Sequence, residues 1–166
     1  MSKKIVLSVL VLASCGRSEP PAAPTLGHFS DTLRARARAL CGSDFGDDAL
    51  PAALTREARA RLRGRHVVAA GCIVPDKHVA IEIDYDADTR EVFAVAGHGG
   101  ATNEVFEWFR ALEEAGMSGS VGPRIEDSLS ASQTTLKDVD LHADGIGVRA
   151  TLADDGRQEF LFALER

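Results

Sequence analysis

The chain has 166 residues, of which 45% are hydrophobic and 27% are charged, and its formal net charge at neutral pH is −6. The acidic residues are concentrated towards the C-terminus, since residues 76–166 contain nineteen acidic residues against eight basic ones. A surface of this charge repels nucleic acid and anionic headgroups, so we exclude nucleic acid and expect any protein partner to be cationic. The alternative is an ordinary solvated acidic surface.

The N-terminus combines basic charge with a short apolar run. Lys3 and Lys4 precede the run from Ile5 to Leu12, which closes with Leu12-Ala13-Ser14-Cys15. These are secretory features, and the run is shorter than the roughly 20 apolar residues that a bilayer-spanning helix needs. The segment resembles a bacterial lipoprotein signal peptide, and Leu12 to Cys15 match its lipobox at all four positions.

This resemblance implies that residues 1–14 are removed and that Cys15 becomes the lipidated N-terminus. Gly16 follows the cysteine, and by the same resemblance the lack of an aspartate there permits sorting to the periplasmic face of the outer membrane, with the inner membrane as the alternative. Residues 15–25 contain three prolines and few large apolar residues, so we expect a flexible tether there. Residues 26–166 are long enough to form one folded domain.

Cys41 and Cys72 are the cysteines that remain in this domain. Export would place them in an oxidising compartment, where two cysteines favour a disulfide over a metal site or a catalytic pair. We therefore predict a Cys41–Cys72 disulfide, with two buried free thiols as the alternative.

Helices are predicted in the first part of the domain. Ser30 is a suitable N-cap and Gly42 a suitable end for a helix whose apolar residues recur at helical spacing. An acidic loop over Ser43–Pro51 leads to a second helix that begins at Thr55. Val67–Val74 is rich in β-favouring residues and is predicted as a strand, although the second helix could instead continue to Cys72.

Val79–Tyr85 alternates apolar and polar residues, which predicts a strand with its polar side in water. A turn leads to the next strand, Arg90–Ala96. Asn103–Ala115 has apolar residues on one helical face, including Trp108, which we expect in the core.

Ser118–Thr134 is predicted to be mostly loop, with a short edge strand near Pro123–Glu126. The remaining chain is predicted to form a meander of three strands, Thr135–Leu141, Ile146–Leu152 and Gln158–Leu164. These elements predict an α+β fold, an antiparallel meander sheet with the central helix on one face. The N-terminal helices would partly cover the other face, or that face would be left in water.

Gly97-His98-Gly99-Gly100 follows a strand and precedes a helix, where backbone N–H groups can hold an anion. The alternative is a turn in which glycine relieves a positive φ. The Gly-x-Ser-x-Gly elbow of esterases is absent from the chain.

The spacing of Asp84, Asp86 and Asp88 is that of the first ligands in a calcium-binding loop. However, Thr89 occupies the position where that loop needs glycine. We therefore predict a hairpin turn whose acidic side chains point outward, and no metal site.

No complete catalytic set is present, and we expect no cofactor. The leading hypothesis is a lipid-anchored periplasmic binding protein, either an inhibitor or immunity-type protein against a toxin or hydrolase, or an envelope assembly factor. Its candidate binding surface is Glu82, Asp84 and Asp86.

The first alternative is an envelope-acting enzyme that uses His98 with a nearby carboxylate from Asp138, Asp140 or Glu104. A pocket that gathers His98 with a carboxylate would favour this enzyme, and a flat surface would favour binding. The second alternative is a passive structural lipoprotein.

Overall fold

The computed structural model describes residues 23–49, 60, 62–74, 79–98, 104–118, 122–135, 138–143, 145–152 and 158–165. Within this part, the helices are α1 (Asp31–Cys41), α2 (Glu104–Glu114) and α3 (Gly122–Thr135), and a 3-10 helix covers Gly42–Asp44. The strands are β1 (Gly46–Ala49), β2 (Val67–Val74), β3 (Val79–Asp86), β4 (Val92–His98), β5 (Val139–Ala143), β6 (Ile146–Leu152) and β7 (Gln158–Leu164). The predicted signal peptide and the helix predicted from Thr55 fall almost entirely outside these residues.

The described strands form one seven-stranded sheet in the order β1-β2-β3-β4-β7-β6-β5. Every neighbouring pair is antiparallel. The sheet therefore consists of two meanders, β1 to β4 and β5 to β7, which meet where β7 pairs with β4. The predicted α+β class with an antiparallel meander sheet is confirmed.

Local sequence signals explain the ends of α1. The Ser30 hydroxyl accepts a hydrogen bond from the Leu33 N–H at 3.3 Å, which satisfies a donor of the first turn. Gly42 follows the helix with φ +62°, and its N–H donates to the Arg38 carbonyl. Both predicted ends are confirmed, and residues 67–74 form a strand rather than a continuation of a helix.

The core lies on one face of the sheet, which we call the inner face. Leu33 and Ala37 from α1 and Trp108 from α2 are buried there against Tyr85 and Phe162 of the sheet. The prediction that Trp108 is a core residue is confirmed. However, α1 lies on the same face as α2 and not on the opposite one, because the disulfide to Cys72 ties α1 to the inner face.

The chain enters the domain along one end of the sheet. Thr25 donates from its N–H to the Ser118 hydroxyl at 2.9 Å, and the Ser118 N–H donates to the Thr25 carbonyl at 3.0 Å. The His28 N–H donates to the Ala115 carbonyl at 2.9 Å. Thr25, which the sequence placed in the tether, is therefore part of the folded domain.

Two segments that were predicted as loops are regular structure. Gly122–Thr135 forms α3, and Gly46–Ala49 pairs with β2 as a strand at the edge of the sheet. Serine and threonine in α3 are typical of turns, because their hydroxyls compete for backbone hydrogen bonds. Pro123 in the first turn is compatible with a helix start, since the proline lacks an N–H that would be unpaired there.

Candidate functional site

The face of the sheet opposite the core, which we call the outer face, carries the candidate site. Strand register places Ile73, Ala80, His98 and Glu159 in one row across β2, β3, β4 and β7. Two residues further along the strands, Glu82 lies opposite Ala96. Neighbouring strands are about 4.8 Å apart, so these side chains share one small patch of the sheet.

These residues line a trough with a volume of about 420 Å³. Its lining comprises Cys72, Ile73, Ala80, Ile81, Glu82, Ala96, Gly97, His98, Glu159 and Phe160. The members that point to the inner face are buried, whereas Ile73, His98 and Glu159 are exposed. The trough therefore opens on the outer face. Its volume lies within the range of about 300 to 1,000 Å³ that is usual for ligand sites.

Small side chains produce the depth of the trough. Ala80 and Ala96 stand on neighbouring strands between longer side chains, and they form the floor. Ile73 stands at the β2 side with 72% of its surface exposed. A large aliphatic side chain this exposed costs free energy in water, and burial of such a group against a ligand recovers about 1.5 to 3 kcal/mol.

The charges around the trough are mainly negative. Glu82 on β3 and Glu159 on β7 lie on opposite sides of β4 and in different rows, because Glu82 is opposite Ala96 and Glu159 is opposite His98. They are about 10 Å apart across the strands and about 7 Å apart along them. His98 on β4 lies directly opposite Glu159. The acidic side chains beside Ile73 give the trough an apolar wall with a polar rim.

Two of the three residues in the predicted binding surface are not accessible. Glu82 borders the trough and is half-buried, but Asp84 is 0% exposed and Asp86 is 2% exposed. The prediction of outward acids is therefore wrong for Asp84 and Asp86. Part of the outer face is covered, since Leu62 packs against Phe93 and Ala94 there.

Asp86 has a structural role at the start of the turn into β4. Its carboxylate accepts hydrogen bonds from the Asp88 and Thr89 N–H groups at 2.9 and 3.0 Å and pairs with Arg65 at 3.3 Å. Burial raises the pKa of Asp86, but the N–H groups of Thr89 and Asp88 and the Arg65 guanidinium outweigh burial and hold that pKa below its ordinary value. The resulting stabilisation is present above the ordinary carboxyl pKa and is lost as the pH falls through the lowered one.

The predicted anion loop has a different structure in its described half. Gly97 and His98 are the last residues of β4, and Gly99 and Gly100 lie outside the described residues. Glu159 lies directly opposite His98, and a carboxylate at this position repels an anion. The described half of this segment therefore offers poor conditions for an anion site.

The carboxylates predicted to assist His98 lie elsewhere. Glu104 pairs with Arg36 on α1 at 3.3 Å. Asp140 is on β5, where it contacts Arg149 at 3.4 Å and His142 at 3.1 Å. Asp138 is exposed and directly precedes β5. The carboxylate that the fold brings beside His98 is instead Glu159.

Sequence reasoning missed Glu159, although a signal for its direction was present. In the predicted strand Gln158–Leu164, alternation places Glu159 on the face opposite Phe160 and Phe162, which are large apolar residues and are buried in the structure. What the sequence did not contain was the pairing partner of β7. The contact between β7 and β4 crosses two helices and two strands of intervening chain.

The predicted disulfide is confirmed. Cys41 at the end of α1 bonds to Cys72 on β2, with a Cα–Cα distance of 5.7 Å. Both cysteines are buried, and Cys72 directly precedes Ile73 at the wall of the trough. The bond therefore fixes α1 to the strand that carries this wall.

In the described part of the chain, no group of three or more His, Cys, Asp or Glu side chains is arranged to hold a metal ion. The described helices also include none with the length and apolarity needed to cross a bilayer. The chain matches no protein-family model, no curated protein and no solved structure.

Proposed function

We propose that the chain is a lipid-anchored binding protein of the cell envelope and that the trough is the surface that receives its protein partner. Lipid on Cys15 would hold it at the periplasmic face of the outer membrane. The observation that carries the binding role is an open trough that combines the exposed Ile73 with Glu82 and Glu159. Apolar anchors in pockets with polar rims dominate the free energy of protein association.

The chemistry of the trough favours binding over catalysis. Its described lining contains no serine, threonine or lysine, and the sulfur of Cys72 is held in the disulfide, so the hydroxyl, amine and thiol nucleophiles are absent from these residues. The trough also opens to solvent, whereas catalytic sites commonly gain from the exclusion of water. A passive structural protein, by contrast, has no need of such a trough.

The envelope location is supported by residues outside the trough. Leu12 to Cys15 match a lipobox, and an apolar run with preceding lysines stands before them. The Cys41–Cys72 disulfide is consistent with an oxidising compartment. Within the class of envelope binding proteins, we favour an inhibitor or immunity-type protein or an assembly factor, because each of these roles needs a stable surface and no catalytic group.

The anchor is tested by Cys15→Ser. Cells grown with labelled palmitate should incorporate label into the wild-type chain and into Glu114→Gln, a control far from the lipobox. We expect no label in Cys15→Ser, because serine cannot form the thioether and its hydroxyl replaces the attacking thiol. Normal labelling of Cys15→Ser would contradict the anchor.

The binding role is tested by Ala96→Leu, which fills the floor of the trough without a change in charge. The purified full chain serves as bait against envelope and secreted extracts. We expect the wild type and Glu114→Gln to retain one stoichiometric partner and Ala96→Leu to lose it, because a leucine occupies the space that the partner needs. Circular dichroism of each bait checks that the fold is intact. Capture by a folded Ala96→Leu bait at the wild-type level would overturn the role of the trough.

A second candidate function is an envelope-acting enzyme with His98 as acid or base. The strand register, which places Glu159 opposite His98 at a concave site, favours it. His98→Ala separates the two functions when it is used as a bait in the same capture experiment and any chemical conversion of the captured molecule is also measured. An enzyme predicts that this variant still captures the partner or substrate but no longer converts it, whereas a binding protein predicts no conversion by any bait.

A further inference from the structure

We propose that the lipid anchor holds one end of the sheet at the bilayer and presents the trough, at the other end, to a soluble protein of the aqueous space. This inference rests on the proposed function, since it needs both the lipid on Cys15 and the trough as the binding surface. Its evidence is the place where the chain enters the folded domain and the small number of residues between that place and Cys15.

The chain enters the domain at one end of the sheet, which we call the entry end. Pro24 packs on the turn between β5 and β6, where a Cβ atom built on Gly145 would lie 3.0 Å from the proline side chain. The Glu165 N–H, just after β7, donates to the Gly145 carbonyl at 2.8 Å. The Val92 N–H, at the start of β4, donates to the Gly27 carbonyl at 2.9 Å. The entry end therefore comprises the start of β4, the end of β7 and the β5–β6 turn.

The trough lies at the other end of the same strands. Val92 and His98 are the two ends of β4, and the rise of a strand puts them about 20 Å apart. Leu164, the last residue of β7, is about 17 Å from Glu159 by the same rise. Because His98 and Glu159 line the trough, it is about 17 to 20 Å from the entry end.

The chain that leads to the anchor is short compared with this separation. Seven residues lie between Cys15 and Ala23, where the described structure begins. Fully extended, this chain reaches at most about 29 Å. With the trough end towards the bilayer, the entry end would lie about 17 to 20 Å above the trough, and the remaining gap of about 10 Å is the thickness of one helix. A folded partner does not fit in that gap.

The described surface also gives the trough little affinity for the bilayer. Among the described residues, Ile73 is the large hydrophobic side chain that is exposed, whereas a protein face that binds a membrane surface needs a broad apolar area. Residues 76–166 contain nineteen acidic residues against eight basic ones, and this net charge repels anionic headgroups. The trough therefore stays in water while the lipid holds the entry end.

A soluble protein meets these conditions. It reaches the trough from the aqueous side and covers Ile73 and the floor formed by Ala80 and Ala96. Acyl chains and membrane-spanning segments lie within the bilayer, below the trough. The lipid anchor thus selects the partner by position, and the trough selects it by shape.

The test places fluorescent donors on the lipidated full chain in vesicles of phosphatidylethanolamine and phosphatidylglycerol that contain a headgroup-labelled acceptor lipid. Asp88→Cys puts a donor at the entry end, because this exposed residue lies in the turn between β3 and β4. Thr151→Cys puts a donor at the trough end, because exposed Thr151 pairs with Glu159. Glu114→Cys is a second label for the entry end, on α2, next to the Ala115 carbonyl that accepts from His28.

We expect energy transfer from Thr151→Cys to be about threefold slower or more than from Asp88→Cys, because Thr151 lies about 17 Å farther from the bilayer. Glu114→Cys should match Asp88→Cys, since both mark the entry end although they lie in different layers of the domain. Equal transfer from all three labels, or faster transfer from Thr151→Cys, would overturn the inference. Slow transfer from Glu114→Cys alone would also overturn it, because the domain would then lie with its outer face on the bilayer.

Partner capture distinguishes failure of this inference from failure of the proposed function. The vesicle-bound wild type should retain the partner from a soluble extract as fully as the chain in detergent does, and Ala96→Leu should lose it in both. If capture occurs in detergent but is lost on vesicles, or if the partner is an integral membrane protein, the trough remains the binding surface and this inference fails. If a folded Ala96→Leu bait captures the partner normally, the trough is not the binding surface and both proposals fail.

Discussion

Gly71→Ala is expected to destabilise the domain by about 3 to 5 kcal/mol, the range of severe backbone substitutions. Gly71 has φ +154°, and a Cβ atom built on it would lie 1.9 Å from the Ile81 carbonyl oxygen. Because that oxygen belongs to the backbone of the neighbouring strand, it cannot move without disturbing the pairing of β2 with β3. Urea denaturation followed by circular dichroism measures the loss.

A matched control separates this clash from the general cost of a positive φ. Gly64 has φ +87°, and a Cβ atom there would meet nothing within 4 Å. Gly64→Ala should therefore cost only about 1 to 2 kcal/mol, the cost of a left-handed backbone in an alanine. Equal losses of stability in the two variants would show that the close approach to Ile81 is not the cause.

Removal of the disulfide by Cys41→Ala/Cys72→Ala is expected to lower the free energy of unfolding by about 3 to 4 kcal/mol. The bond closes a loop with a sequence separation of 31 residues, and its loss allows the unfolded chain more conformations. Denaturation with and without reductant measures the effect. Reductant should lower the stability of the wild type towards that of the variant and leave the variant unchanged.

The disulfide variant also links stability to the site. Cys72 directly precedes Ile73, and α1 packs on β2 through this bond. A double alanine variant as stable as the oxidised wild type would contradict the stabilising role. If the variant is less stable but folded at low temperature, it still presents β2, so partner capture can be measured on it.

The elements that could be predicted are those with a strong local signal. Ser30 and Gly42 define the ends of α1 because capping depends on residues within one turn of the helix end. The strands around Val79 and Phe160 follow from alternation, which depends on neighbouring residues only. The disulfide was predicted from the number of cysteines and from an N-terminal segment that resembles an export signal.

The elements that could not be predicted depend on contacts distant in sequence. Asp84 and Asp86 alternate with apolar residues just as exposed acids do, yet the outer face is covered at their end of the sheet. The helix α3 contains many serine and threonine residues, and it packs against α2 and β5, which are contacts that its own sequence does not contain. Local propensity is a weak signal when packing opposes it.

The sequence by itself determined the class of fold and the disulfide, because each of these depends on local pattern or on composition. Only the tertiary structure decided that Ile73, Glu82, His98 and Glu159 surround one trough. These residues come from four strands, and their meeting depends on the pairing of β4 with β7. That pairing follows from the free energy of the whole sheet and its core, which no local segment of the chain contains.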